Sequence, residues 1–272
     1  MGRSTAATTR IPRHRTGGGS GGYTVARMEP ELFARRASSF GAAAADYHRH
    51  RPGYPVEAVA WAVGDAERVL DLAAGTGKLT EALLDLGIEV TAVEPDERLR
   101  EWFHRLFPDV AVRDGTAEAI PLRDACVDAV VVGQAYHWFD QAAAIPEMLR
   151  VLRPGGVLAT LANHDDQSVP WVAELASLAT TSIGPPRNHA ARVPEHPGLK
   201  PPEQVQVHHA QRRTAASMLE TVKTHSNVSQ APAAERAEVL TRVRDFLSAN
   251  PATSTGEFDR PLITTVIRAA KR

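Results

Sequence analysis

Apolar positions along the chain follow two alternating periods. Short apolar runs at Arg68–Leu72, Glu89–Val93, Val110–Arg113, Asp128–Val132 and Val157–Leu161 predict five strands. Between them the spacing changes. Lys78–Leu86 places Leu79, Leu83 and Leu86 on one helical face, and Gly87 supplies a stop. Asp96–Leu106 and Gln141–Leu152 predict two more helices, the last ending at Arg153-Pro154-Gly155-Gly156. Strands that alternate with helices at this spacing predict an α/β fold with a doubly wound, mostly parallel sheet covered on both faces.

The flanks are less regular. Upstream, Pro30–Ala45 reads as a helix with an alanine-rich turn. Residues 46–55 are then broken by Pro52 and Pro55, which hold their neighbours extended, and Val56–Val63 is a short helix stopped by Gly64. Downstream come a helix near Val169–Thr181 and a proline-rich loop or lid running to Pro202. A strand at Gln204–Ala210, helices at Thr214–Lys223 and Ala233–Ala249, and a final strand at Pro261–Ala269 complete the pattern.

Composition narrows the class. Of 272 residues, 43% are hydrophobic and 23% charged, and the formal net charge is -1. No clustered basic excess invites a phosphate backbone, so nucleic acid is not an expected partner. The single cysteine, Cys126, cannot form an internal disulfide or a cysteine zinc site. No apolar run approaches the ~18 residues of a membrane helix. A cytoplasmic protein with a small-molecule partner, no membrane partner, and a monomeric or homodimeric state is expected. Residues 1–27 carry five arginines, no acid and a glycine run. They read as a targeting peptide, a disordered basic tail, or codons upstream of a true start at Met28. The glycine run and the lack of an apolar stripe argue against the first.

The chemistry concentrates at Val69-Leu70-Asp71-Leu72-Ala73-Ala74-Gly75-Thr76-Gly77-Lys78, where a buried strand enters a glycine turn and then a helix. Such a turn lets backbone approach a ligand, and the helix N-terminus offers free N–H groups. A plain βα turn would also use small residues here. Glu94 raises the stakes: it ends the next strand about 20 residues on, where a carboxylate can take both hydroxyls of a ribose. The dinucleotide fingerprint GxGxxG is not met, because Ala73 stands at its first glycine, and the phosphate loop GxxxxGK[ST] is absent. The histidine pairs His48/His50 and His208/His209 lack carboxylate or cysteine partners. His208 and His209 would point to opposite faces of a strand, so no metal is expected.

VLDLAAGTGKLT, AVEPD, GTAEAIPL, DAVVVGQAYHWFD and RVLRPGGVL, in this order, resemble the class I S-adenosylmethionine-dependent methyltransferases. The branch they resemble is type 11, around the trans-aconitate and ubiquinone/menaquinone enzymes. The likeness runs from about Phe40 to Leu161. It implies a seven-stranded sheet of order 3-2-1-4-5-7-6 with the last strand antiparallel beside the fifth, and S-adenosylmethionine as cofactor. It divides the chain into a tail (1–27), a helical lid (28–64), a cofactor-binding core (65–162), a substrate-side insertion (163–203) and a completion of the sheet (204–272). It implies that Asp71, Ala73, Gly75 and Gly77 hold the methionine part and that Glu94 binds the ribose hydroxyls. Pro95, Thr116, Ala117 and Glu118 would flank the adenine. Many relatives carry Asp where Thr116 sits, which leaves adenine to the Ala117 backbone. Gln134 lies near the methyl donor, and Tyr47 lies against the cofactor under the lid.

Arg51 can meet a carboxylate of the cofactor or of an acidic substrate, and Trp138 is a further substrate candidate. His137, with Tyr136 beside it, is the candidate for proton transfer, because the pair follows the fourth strand, at the sheet edge where ligands bind. Packing under a loop accounts for both equally well. Two other readings stay open: a non-catalytic cofactor-binding protein, favoured by Thr116 and Ala73, and a dehydrogenase, which would need a third glycine in the turn.

Overall fold

The computed structural model describes residue 48 and residues 51–186 and 191–272. The expected tail, the helix at 30–45 and Tyr47 lie outside the described residues. Helix α1 (Val56–Val63) precedes β1 (Arg68–Leu72), α2 (Lys78–Leu84), β2 (Glu89–Val93), α3 (Glu97–Leu106), β3 (Ala111–Arg113) and β4 (Val127–Gly133). A 3-10 turn at Tyr136–Trp138 leads to α4 (Gln141–Val151), β5 (Leu152–Asp165) and α5 (Pro170–Leu178). Strand β6 (Glu203–Thr214), helices α6 (Ala215–Lys223), α7 (Ser226–Ser229) and α8 (Ala233–Ala249), and β7 (Glu257–Ala270) follow.

The sheet has seven strands in the order β3-β2-β1-β4-β5-β7-β6. The first five are parallel, with Leu72 opposite Val93 and Val131 opposite Ala159. Strand β7 runs antiparallel to both β5 and β6, with Leu161 opposite Val266. The expected order and the antiparallel last strand are both met. Period-two alternation sorts the core. Val69, Val131 and Leu161 face α1, α2 and Phe103 of α3, while Leu70, Leu72, Val130, Val132 and Leu158 face Met148 and Val151 of α4. Strands buried on both faces carry apolar residues at nearly every position, as β4 does.

A third cluster stands apart from these two layers. Leu175 of α5, Met218 and Val222 of α6, and Val239, Val243 and Leu247 of α8 close on Phe258 of β7. Trp171 meets the Phe258 ring edge-on at 5.7 Å. The helices inserted between β6 and β7 thus form a cap at the end of the sheet. Thr214 and Ser217 make a reciprocal capping box that starts α6 where β6 ends.

Three strands are longer than the hydrophobic pattern implies. Strand β5 continues to Asp165, β6 to Thr214, and β7 begins at Glu257. The added residues include His164, Asp165, Gln211, Arg213 and Arg260. The antiparallel ladder keeps them extended, pairing Asp165 with Leu262 and Arg213 with Phe258. Polar residues on a strand produce no hydrophobic period, so the extension was silent in the sequence.

Candidate functional site

The parallel strands end together, and their order reverses between β1 and β4, the place where an open α/β sheet leaves a crevice. A cleft opens there. Its lining comes from the β1–α2 turn, the end of β2, the segment after β3 and the end of β4.

The turn is built by backbone geometry. Ala73 has φ 58° and Gly77 has φ 86°, both left-handed. A Cβ on Gly77 would run into the Phe107 ring, so this position needs glycine for space as well as for conformation. The turn is fastened across the sheet: Gly75 N–H donates to Glu94 Oε2 at 2.8 Å, and Asp96 N–H donates to Glu94 Oε1 at 3.0 Å. Glu94 is buried, and that burial raises its pKa above the ordinary carboxylate value. Two N–H donors fix its orientation and leave further acceptor positions on both oxygens. Asp96 serves as the N-cap of α3, accepting from Arg98 and Leu99 N–H.

Asp71 is 1% exposed and accepts from Thr80 Oγ1 at 2.6 Å. Burial pushes its carboxyl up to about 7, against a weaker opposing pull from Thr80. Thr76 Oγ1 is buried in the cleft wall and has no hydrogen-bond partner among the described residues.

On the opposite wall, Ala117 is buried, and Glu118 Oε1 accepts from Asp140 N–H at 2.9 Å, tying this segment to the start of α4. Gln134 has φ 59° and its Nε2 donates to the Asn163 carbonyl at 2.9 Å. Tyr54 closes the cleft over the end of β4, where a Cβ on Gly133 would come 2.6 Å from the tyrosine oxygen. Asn163 Nδ2 donates to the Gly53 carbonyl and holds this entering segment down.

Of the residues expected at the site, Asp71, Ala73, Gly75, Glu94, Pro95, Thr116, Ala117, Glu118, Gln134, Arg51 and Trp138 line one cleft. Gly77 stands behind it as a packing position. Tyr136 and His137 are not among the lining residues. Tyr136 packs among Ile145, Met148 and Phe139 on the α4 side, and burial pushes its hydroxyl up to about 12. It lines a separate recess with Arg192 and Gln204. The His137 ring lies 4.6 Å from that of Trp138. Tyr54, Leu99 and Phe139 line the cleft without having been anticipated. Tyr54 sat in a Pro-Gly-Tyr-Pro break with no periodicity, and only its aromatic character marked it.

A crevice at this switch point, with a carboxylate held at the end of β2, is the arrangement in which open α/β sheets bind nucleotide cofactors. Relatives give the family. The methyltransferase domain profile matches residues 70–160. An uncharacterized methyltransferase of Mycobacterium tuberculosis is 40% identical over 233 residues, covering 85% of this chain and 95% of that protein. One of Schizosaccharomyces pombe is 31% identical over 237 residues, covering 84% and 94%. A solved structure from Anaeromyxobacter dehalogenans, assigned as a type II methyltransferase, superposes with a TM-score of 0.59 at 25% identity. It covers 81% of this chain and 97% of that one. The chain belongs to the type 11 branch of the S-adenosylmethionine-dependent methyltransferases and is an enzyme of that family.

No helix among the described residues is long and apolar enough to cross a membrane. No group of three or more metal-ligating side chains occurs among them.

Proposed function

We propose that the cleft binds S-adenosylmethionine and that the enzyme transfers its methyl group to a small-molecule acceptor. The observation that carries this is Glu94, a buried carboxylate oriented by two backbone N–H groups at the crevice between β1 and β4. Its remaining acceptor positions suit the paired hydroxyls of a ribose. Pro95, Leu99 and Ala117 offer apolar faces for an adenine, with the 116–118 backbone at its edge. Thr116 takes the place of an aspartate, so recognition of the adenine falls to the Ala117 backbone. Asp71, Ala73, Gly75 and the unpartnered Thr76 hydroxyl give polar contacts for the amino-acid part of the cofactor.

The bound cofactor supplies an activated methyl group on a sulfonium. The protein's task is therefore alignment and exclusion of water. Tyr54, Trp138 and Phe139 wall the cleft and remove water from it, and Gln134 fixes the floor where β4 ends. The described parts of 163–203 and helices α6–α8 shape the acceptor side. An acceptor whose reacting atom carries no proton, such as a carboxylate oxygen, needs no base. This fits a cleft whose lining includes neither Tyr136 nor His137.

Calorimetric titration of the full chain with S-adenosylmethionine, and separately with NAD, tests the proposal. Micromolar binding of the first, lost in Glu94→Ala, is expected. Binding of NAD alone would point to the dehydrogenase reading and end this one.

A further inference from the structure

Beyond the cleft, the extended ends of β5, β6 and β7 bury a group of cationic side chains that cofactor binding does not use. By register, Arg213 and Gln211 of β6, Phe258 and Arg260 of β7, and Asp165 of β5 share one face of the sheet. Arg260 is 5% exposed and Arg213 6%. Arg260 Nε donates to Asp165 Oδ1 at 2.7 Å, and Arg213 Nε donates to Gln211 Oε1 at 3.1 Å. Arg260 Nη1 and Arg213 Nη2 are buried with no hydrogen-bond partner among the described residues. Burial, then the nearby Arg260, pushes Arg213 down to about 10.

The surrounding groups do not neutralise this charge. His225, the residue before α7, is held near 3 by burial, then by Arg51 and Arg260. His209 is held near 4 by burial and then Arg260, with Glu57 opposing weakly. Both rings are neutral at physiological pH. Asp165 is the carboxylate in contact, and it pairs with one arginine of the two. Among the described residues, a second buried guanidinium therefore stands without a carboxylate, and each arginine has an N–H group with no acceptor. A buried cation and orphaned donors are costly, and an oxyanion that bridges both guanidinium groups removes both penalties.

The group also adjoins the cleft. Gln134, in the cleft floor, bonds the backbone of Asn163, two residues before Asp165 on β5. Thr264 links Asn163 to His209. Arg51 lines the cleft and is close enough to act on His225. We infer that Arg213 and Arg260 hold the acid group, carboxylate or phosphate, of the methyl acceptor. As far as the ligand is the acceptor, this rests on the methyltransferase reading. The oxyanion site itself rests on the two arginines.

The test is thermal unfolding and calorimetry of the full chain with inorganic phosphate, with succinate, and with sodium chloride at matched ionic strength. Phosphate or succinate should bind and raise the unfolding midpoint above the chloride control. Whichever does so identifies the phosphate or carboxylate source. Arg213→Gln should weaken that binding about tenfold or more, the loss of one charge-assisted hydrogen bond. Asp165→Asn should tighten it, because the carboxylate that competes for Arg260 is gone, and a misfolded variant cannot mimic this opposite direction. Stabilisation no greater than chloride gives, undiminished binding in Arg213→Gln, or weaker binding in Asp165→Asn each overturns the inference. S-adenosylmethionine is titrated into the same samples. Cofactor binding without oxyanion binding removes this site alone, whereas oxyanion binding without cofactor binding strikes the methyltransferase reading and leaves the site standing.

Discussion

The two ends of one sheet carry their polar chemistry in different ways. At the cleft, the polar groups of the β1–α2 segment find partners close in sequence. Thr80 meets Asp71 nine residues back, and Gly75 meets Glu94 nineteen residues on. At the cationic end, polar groups sit on strands, and apart from the local Arg213–Gln211 bond their partners lie far away. Arg260 bonds Asp165 across 95 residues, and Thr264 bonds Asn163 across 101. The first arrangement is set by backbone turns and is complete when the local segment folds. The second exists only after three strands have paired, and it leaves buried donors that no described residue satisfies. One end is a preformed cradle, and the other a charge awaiting a counter-ion.

The largest expected effect lies at the cradle. The folded pKa of Asp71, about 7, stands above its ordinary value of 3.8. The native state therefore keeps a proton that the unfolded chain releases. This group's contribution is whole below about pH 4, falls as pH rises through 7, and is flat above that. The full difference corresponds to about 4 kcal/mol as an upper bound. In Asp71→Asn the fall should vanish, so the variant gains on the wild type between pH 4 and pH 7 in urea unfolding. Parallel stability curves for the two proteins would mean that Asp71 is ionised in the fold.

Next in size is Gly77→Ala. Its φ of 86° strains any other residue, and the added methyl meets Phe107. A loss of about 3 kcal/mol is expected from strain and overpacking together. Cofactor affinity should fall with it, since the turn must shift to make room. An alanine variant of wild-type stability and affinity would show that the Phe107 ring yields easily, making this part of the cradle softer than the loop geometry implies.

This difference also explains what the sequence could disclose. The central strands, the turn Ala73–Gly77 and the acid Glu94 were legible, because spacing along the chain is spacing in the fold when a strand, a turn and a helix follow one another; the order of the strands came from the family resemblance. Tyr136 and His137 illustrate the limit at the same edge. They follow β4 as expected, yet the 3-10 turn carries Tyr136 under α4 rather than into the cleft. The turn decides which aromatics face the cleft, and Trp138 and Phe139 take the lining positions instead. The arginine pair lay beyond reach altogether. Arg213 and Arg260 look like ordinary surface charges, and only the register of β6 on β7 brings them together indoors.

The smallest effect is the one that separates the two ends most sharply. A buried ionic group that serves the fold costs stability when it is removed, whereas one kept for a ligand does not. Among the described residues, Arg213 has one hydrogen bond, to Gln211, against the desolvation of a guanidinium with an orphaned N–H. Arg213→Met keeps the length and apolar stem of the side chain and deletes the charge. Without added oxyanion, the variant should be as stable as the wild type or more stable, by up to about 1 kcal/mol. With phosphate or succinate present, the order should reverse, because only the wild type gains from the ligand. A loss of about 2 kcal/mol or more in oxyanion-free buffer would instead make Arg213 a strut between β6 and the helical cap. The contrast between a self-contained cradle and a charge held for a ligand would then collapse at that residue.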